Sequence, residues 1–188
     1  MSDARVAELE ARVRELEDVR EIIDLFHKWH YACTGGFAGK QAGRMEALEC
    51  LTEDATFEML GQFGPGEGPQ GIKEFTEFWD YFYGDAGPLP YVFQTSVADH
   101  VTVNGDEAEH KTTMLGMFAF RPTDEPTTVP QINLALRTNY LRRTPAGWRI
   151  CKTTIEGGFS STLSDLQGAL NPLPKKDDRK PFLPHKAT

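Results

Sequence analysis

The chain has 188 residues, enough for one domain with a developed core and short for two. Its 39% hydrophobic content, 26% charged content and net charge of −8 fit a globular protein and argue against nucleic acid or an anionic membrane as partner, since both call for a basic face. No apolar run approaches the roughly 20 residues of a membrane span. The charged start "MSDARVAELE" has no signal-peptide core, and three scattered cysteines (Cys33, Cys50, Cys151) suit a reducing cytoplasm better than a disulfide framework.

Residues 4 to 33 predict one long helix. Val6, Leu9, Val13 and Leu16 keep heptad spacing among Glu and Arg, and from Ile22 the apolar stripe widens through Ile22, Ile23, Phe26, Trp29 and Cys33. Gly35 and Gly36 end it. "GRMEALECL" (43–51) predicts a short second helix with Met45, Leu48 and Leu51 inward. "ATFEML" then alternates as a strand with Ala55, Phe57 and Met59 on one face. "GQFGPGEGPQG" reads as a turn, because it lacks the lysine of a phosphate-binding loop. "IKEFTEFWDYFYG" predicts a helix with a broad aromatic face of Ile72, Phe75, Phe78, Trp79 and Phe82. Four strand-like segments follow, with Asn104-Gly105 and "TPAG" as turns between neighbours. Residues 1–165 are thus expected to form a single α+β domain, with helices covering one face of a run of antiparallel strands. Residues 166–188, rich in Pro and charge, are expected to be an extended or disordered tail.

The cluster "HKWHYAC" raises three chemistries. His27 and His30 share a helix face, but no third ligand or HExxH pattern accompanies them, so no metal site is expected. His30 lies on the inward stripe, where it reads equally well as a structural core histidine or as a catalytic one. Cys33 and Cys151 lack a His-and-acid partnership, and buried structural cysteines are common. On the last strand, simple alternation puts Trp148, Ile150, Lys152, Thr154 and Glu156 on one side. Trp148 and Ile150 mark that side as inner and so bring Lys152 towards a pocket, unless the strand end has already reached solvent. The preceding strand carries Asn133, Ala135, Arg137, Asn139 and Leu141 on one face and Leu134, Leu136, Thr138 and Tyr140 on the other. Alternation does not say which face is inner. Arg137 then binds an anion or a developing oxyanion, or pairs with a surface acid.

The order of "WHYAC", "GRMEALECLTEDATFEMLG", "GPQGIKEF" and "NYLRRTPAGWRI" resembles the SnoaL-like branch of the nuclear transport factor two (cystatin-like) superfamily over about residues 15 to 160. The resemblance implies a strongly curved antiparallel sheet wrapped around helices, a cone with a hydrophobic pocket. That superfamily includes polyketide cyclases, scytalone dehydratase, bile-acid 7α-dehydratase, hexachlorocyclohexane dehydrochlorinase and lignin-derived diarylpropane γ-formaldehyde lyases, besides non-enzymatic binding modules. By position, His30 stands where the bile-acid dehydratase has a pocket tyrosine. The catalytic aspartate falls on Gly35 or Ala38, and the catalytic histidine of the first long strand on Gln94, beside Phe93. The basic residue of the last strand falls on Lys152. The family His-Asp dyad is therefore expected to be missing.

These readings lead to a cofactor-independent lyase, deformylating or dehydrating a bulky phenolic or aromatic small molecule such as a lignin-derived diol. His30 would shuttle the proton, with Lys152 and Arg137 as phenolate or oxyanion partners. Tyr31 and Gln94 would orient the substrate among Trp29, Phe57, Met59, Trp79, Phe93, Asn139, Thr154 and Glu156. An isomerase, a polyketide-type cyclase or a non-catalytic binding module are the alternatives. Family habit implies a homo-oligomer, dimer or trimer.

Overall fold

A computed structural model describes residues 3–36, 40, 42, 44–59, 65–83, 89–120 and 129–162. The expected tail, 166–188, lies outside the described residues. The elements are α1 (Asp3–Cys33), α2 (Arg44–Leu48), β1 (Leu51–Met59), α3 (Gly71–Tyr83), β2 (Tyr91–Asn104), β3 (Glu107–Phe120), β4 (Val129–Thr144) and β5 (Gly147–Thr162). No described helix is long and apolar enough to cross a membrane.

α1 is a single helix, but only its second half belongs to the core. Ile22, Phe26, Trp29 and Cys33, spaced four, three and four apart, are buried, as is Asp18 one turn earlier. Asp18 is the point of entry. It accepts hydrogen bonds from Trp148 Nε1 (3.1 Å) and Arg143 Nη2 (2.7 Å), tying the helix to the β4–β5 hairpin. The Arg143 bond holds the Asp18 carboxyl below its ordinary pKa, against the opposing effect of burial. The helix ends where Thr34 turns its amide and hydroxyl onto the His30 carbonyl (3.1 and 2.9 Å). Gly35 then exchanges two backbone hydrogen bonds with Val92, and Gly36 takes φ +90° so close to the chain that a Cβ would lie 2.0 Å from the Pro90 carbonyl oxygen. The end of α1 is thereby stitched to the start of β2.

The five strands form one sheet in the order β1-β5-β4-β3-β2. β2 to β5 are an antiparallel meander, and β1 pairs with β5 in parallel, so the sheet is mixed where an antiparallel one was expected. The parallel edge follows from the chain path: β1 and β2 lie on opposite edges, with α3 between them in sequence. β1 also begins earlier than the alternating "ATFEML" suggested, because Leu51 already pairs with Ile150. α2 is correspondingly shorter. Leu48 and Leu51 are buried as expected, whereas Met45, also expected inward, is exposed, and Ala47 and Cys50 are buried in its stead.

Register shifts interrupt the ladders at four places: after Leu51 on β1, between Val97 and His100 on β2, and twice along the β4–β5 pairing. Each shift bends the sheet and redirects the residues beyond it. The concave face holds the core, built from α1, α3 and inward residues such as Ala108, Leu141, Trp148 and Ile150.

Candidate functional site

The aromatic side of α3 does not close completely on the sheet. Between them lies a cavity of about 420 Å³, within the size range of small-molecule sites. Trp29 and Cys33 of α1, Phe57 and Met59 of β1, and Phe75, Phe78, Trp79, Phe82 and Tyr83 of α3 form its apolar wall. The sheet supplies Gln94, Met114, Phe118, Asn133, Ala135, Arg137, Ile150, Thr153 and Ile155, with Glu156 at an exposed edge. Trp29 packs edge-on against Trp79 (5.9 Å between rings), and Trp79 stacks on Tyr83 (4.5 Å), so the wall is rigid aromatic surface.

Arg137 is the only Lys, Arg or His side chain among the described residues of that lining. It is 4% exposed, on the face of β4 whose orientation alternation left open. Asn133, Ala135, Arg137, Asn139 and Leu141 point inward, whereas Leu134, Leu136 and Tyr140 are exposed. Arg137 Nε donates to Asn139 Oδ1 (2.9 Å), and Nη2 makes a long contact with Thr153 Oγ1 (3.5 Å). Its guanidinium lies 5.6 Å from the Trp29 ring and 5.9 Å from the Phe26 ring. No carboxylate pairs with it among the described residues. Burial lowers its pKa to about 10, which still leaves it charged at neutral pH.

Behind Arg137 runs a chain of polar groups that alternation could have found but family position did not. Ala108, His110, Thr112 and Met114 share the buried face of β3. His110 is fully buried, with its ring 4.0 Å from that of Phe26. Asn139 Oδ1 is already the acceptor for Arg137 Nε and Thr153 Oγ1 (2.8 Å), so its amide nitrogen faces His110 Nδ1 at 3.2 Å. That fixes the tautomer. Nδ1 accepts, and Nε2–H donates to Asp99 Oδ1 at 2.8 Å. Desolvation outweighs the Asp99 charge and lowers the pKa of His110, so the imidazole is neutral. A His-Asp pair thus exists in the chain, one layer behind the cavity, and it orients Arg137 through Asn139.

His30 is buried but does not line the cavity. Its Nε2 lies 2.7 Å from Ser96 Oγ, and its Nδ1 is buried with no partner among the described residues. Desolvation first, then the Arg137 charge, push its pKa down to about 3. His27, three residues earlier, is exposed beside Asp24, so the two histidines do not converge. Cys33 and Tyr83 are both raised by burial, and neither is ionised at neutral pH. Two cavity residues, Trp29 and Asn133, each hold a buried polar atom with no partner among the described residues.

Of the residues picked from sequence, Trp29, Phe57, Met59, Trp79, Gln94, Arg137 and Glu156 line the cavity. Asn139 stands behind it. Lys152 and Thr154 do not reach it, because the register shift between Ile150 and Lys152 places Cys151 in a bulge and reverses the alternation. Trp148, Ile150, Thr153 and Ile155 point inward. Lys152 turns out to Glu58 (2.8 Å), and the Thr154 hydroxyl donates to the Thr138 carbonyl. Phe93 takes the face opposite its buried neighbours Val92 and Gln94. Tyr31 is 71% exposed, with the Lys40 ammonium 4.5 Å above its ring. Ala38 lies outside the described residues, and Gly35 supplies backbone only.

A curved sheet closed by helices around an apolar cavity is a fold of the small-ligand-binding type. Residues 14–154 match the model of the SnoaL-like domain, and the chain belongs to that family. Solved structures agree on the fold. A proposed aromatic ring hydroxylase from Novosphingobium aromaticivorans is 21% identical over 80% of this chain and 96% of that one, with a TM-score of 0.65. A hexachlorocyclohexane dehydrochlorinase of type 3 from Novosphingobium barchaimii is 10% identical over 81% and 92%, with a TM-score of 0.61. A proposed scytalone dehydratase from Novosphingobium aromaticivorans is 12% identical over 81% and 90%, with a TM-score of 0.58. A comparison with curated proteins finds no match.

Proposed function

We propose that this chain is a cofactor-independent lyase that eliminates a small fragment, formaldehyde or water, from a bulky phenolic substrate such as a lignin-derived diol. The observation that carries this reading is Arg137, a guanidinium buried in an aromatic cavity and paired with no acid among the described residues. Such a charge is costly unless a ligand supplies the negative partner. A phenolic oxygen bound at Arg137 has its pKa lowered by the adjacent cation. The phenolate so formed pushes electron density through its ring and expels hydroxide from the side-chain carbon, which leaves as water with the proton the phenol gave up. The electron pair returns to the phenolic oxygen when a second side-chain bond breaks: a C–H bond, its proton passing to water, or the bond to a CH2OH group, which leaves as formaldehyde with its hydroxyl proton passing to water. Arg137 takes the anion-stabilising role that alternation had shared with Lys152, and the stacked wall of α3 holds the aryl rings. The fold is shared with a dehydrochlorinase and a proposed dehydratase, both eliminating enzymes by name.

His30 enters this scheme as a neutral hydrogen-bonding group, since its depressed pKa makes it a poor proton acceptor at neutral pH. A second reading, a binding module without turnover, draws on the same fact. Among the described lining residues the only carboxyl group is Glu156, at the exposed edge.

Incubation with a set of phenolic diaryl diols, followed by assay of formaldehyde and of dehydrated product, tests the proposal. Turnover is expected in the native protein and loss of it in Arg137→Met. In urea unfolding that variant should be as stable as the native protein or more stable, by up to about 3 kcal/mol, because an uncompensated buried charge has been removed. Full turnover in Arg137→Met would remove the residue from the reaction. Tight binding of every diol with no product would favour the binding module.

A further inference from the structure

The first half of α1 carries an apolar stripe that the domain leaves uncovered. Val6, Leu9, Val13 and Leu16 are 38%, 39%, 52% and 69% exposed, and residues 3–17 of the helix are exposed throughout. At about 100° per residue, the stripe through positions 6, 9, 13 and 16 lies roughly 160° around the helix from the core-facing stripe 18, 22, 26, 29 and 33. The two faces are nearly opposite. The chain's own domain therefore sits on the far side of the helix from this stripe, which ends at the next heptad position with Arg20, its side chain 77% exposed.

We infer that this stripe pairs with the same stripe of a second copy as a short parallel two-stranded coiled coil. The heptad register chooses the occupant. Val6 and Val13 fall at a, and Leu9 and Leu16 at d, the β-branched and γ-branched choice that favours two strands. The flanking charges choose the direction. Arg5 and Arg12 occupy g, and Glu10 and Glu17 occupy e. In a parallel pair Arg5 faces the partner's Glu10 and Arg12 faces the partner's Glu17, on both sides of the seam. In an antiparallel pair arginine would face arginine and glutamate would face glutamate. Among the described residues of one copy, Arg5 pairs with Glu8, an exposed pair at 3.0 Å that is easily exchanged.

Two heptads are too short to associate as free peptides, but these helices are not free. Asp18, Ile22 and Phe26 anchor each in its folded domain, so nucleation is complete before the seam forms. A two-fold axis along the seam places the two domains on its outer sides, at the same end of the coil.

Sedimentation of the full chain at micromolar concentration is expected to show a dimer. Val13→Glu, a change at an exposed position, should give a monomer of unchanged far-ultraviolet circular dichroism and unchanged thermal midpoint. Val6→Cys should cross-link to itself under mild oxidation, because the parallel register sets the two a positions face to face, whereas an antiparallel register sets position 6 against position 16. A monomeric native protein, a dimer that survives Val13→Glu, or a dimer in which Val6→Cys fails to cross-link would overturn the inference.

Discussion

A guanidinium removed from water costs several kcal/mol, and the hydrogen bonds it donates to Asn139 and Thr153 return only part of it. Arg137 persists because Asp99, His110 and Asn139 hold its acceptor in place, each fixing the orientation of the next. The same desolvation governs the histidines, and it makes stability depend on pH with a definite sign. His30 has a folded pKa near 3 against an ordinary 6.5, so between these values the unfolded chain binds the extra proton. Stability is full above about pH 6.5 and falls as the pH drops towards 3. His110, also lowered, acts in the same direction. His30→Gln keeps a partner for Ser96 and removes the titration, so urea unfolding at pH 7 and pH 5 should differ less for the variant than for the native protein. Equal slopes would show that His30 is protonated in the fold. The inward position of His30 was legible from the helix stripe. His110 was overlooked because it lies on a strand where no family motif points, although its buried alternation with Ala108 and Thr112 was visible.

Helices and strands were readable as elements because their apolar periods are long and consistent, down to the aromatic face of α3. What alternation does not carry is a bulge. One extra residue at Cys151 exchanges the faces of β5, and with it the fate of Lys152, since the side-chain period of a strand is two. The consequence is specific. Lys152→Met should change neither ligand affinity nor turnover and should cost less than about 1 kcal/mol in urea unfolding, the worth of a half-exposed ion pair with Glu58. A large loss of turnover would mean that the β5 lysine works inside the cone after all. The parallel edge is a second feature that local pattern omits, because β1 and β5 meet from opposite ends of the domain.

At the scale of the whole molecule, helix, sheet and family agree on a cone. Inside the cone lies a charge, the buried Arg137 guanidinium. The carboxylate–histidine pair lies behind the wall and the cation lies in front, an arrangement suited to holding an anion. The absorption spectrum of a phenolic diol bound at neutral pH tests that claim most directly, because phenol and phenolate absorb at different wavelengths. The native protein should bind it as phenolate, and Arg137→Gln, still folded, should bind it as neutral phenol or not at all. A neutral phenol in the native complex, or a phenolate that persists in Arg137→Gln, would contradict the account.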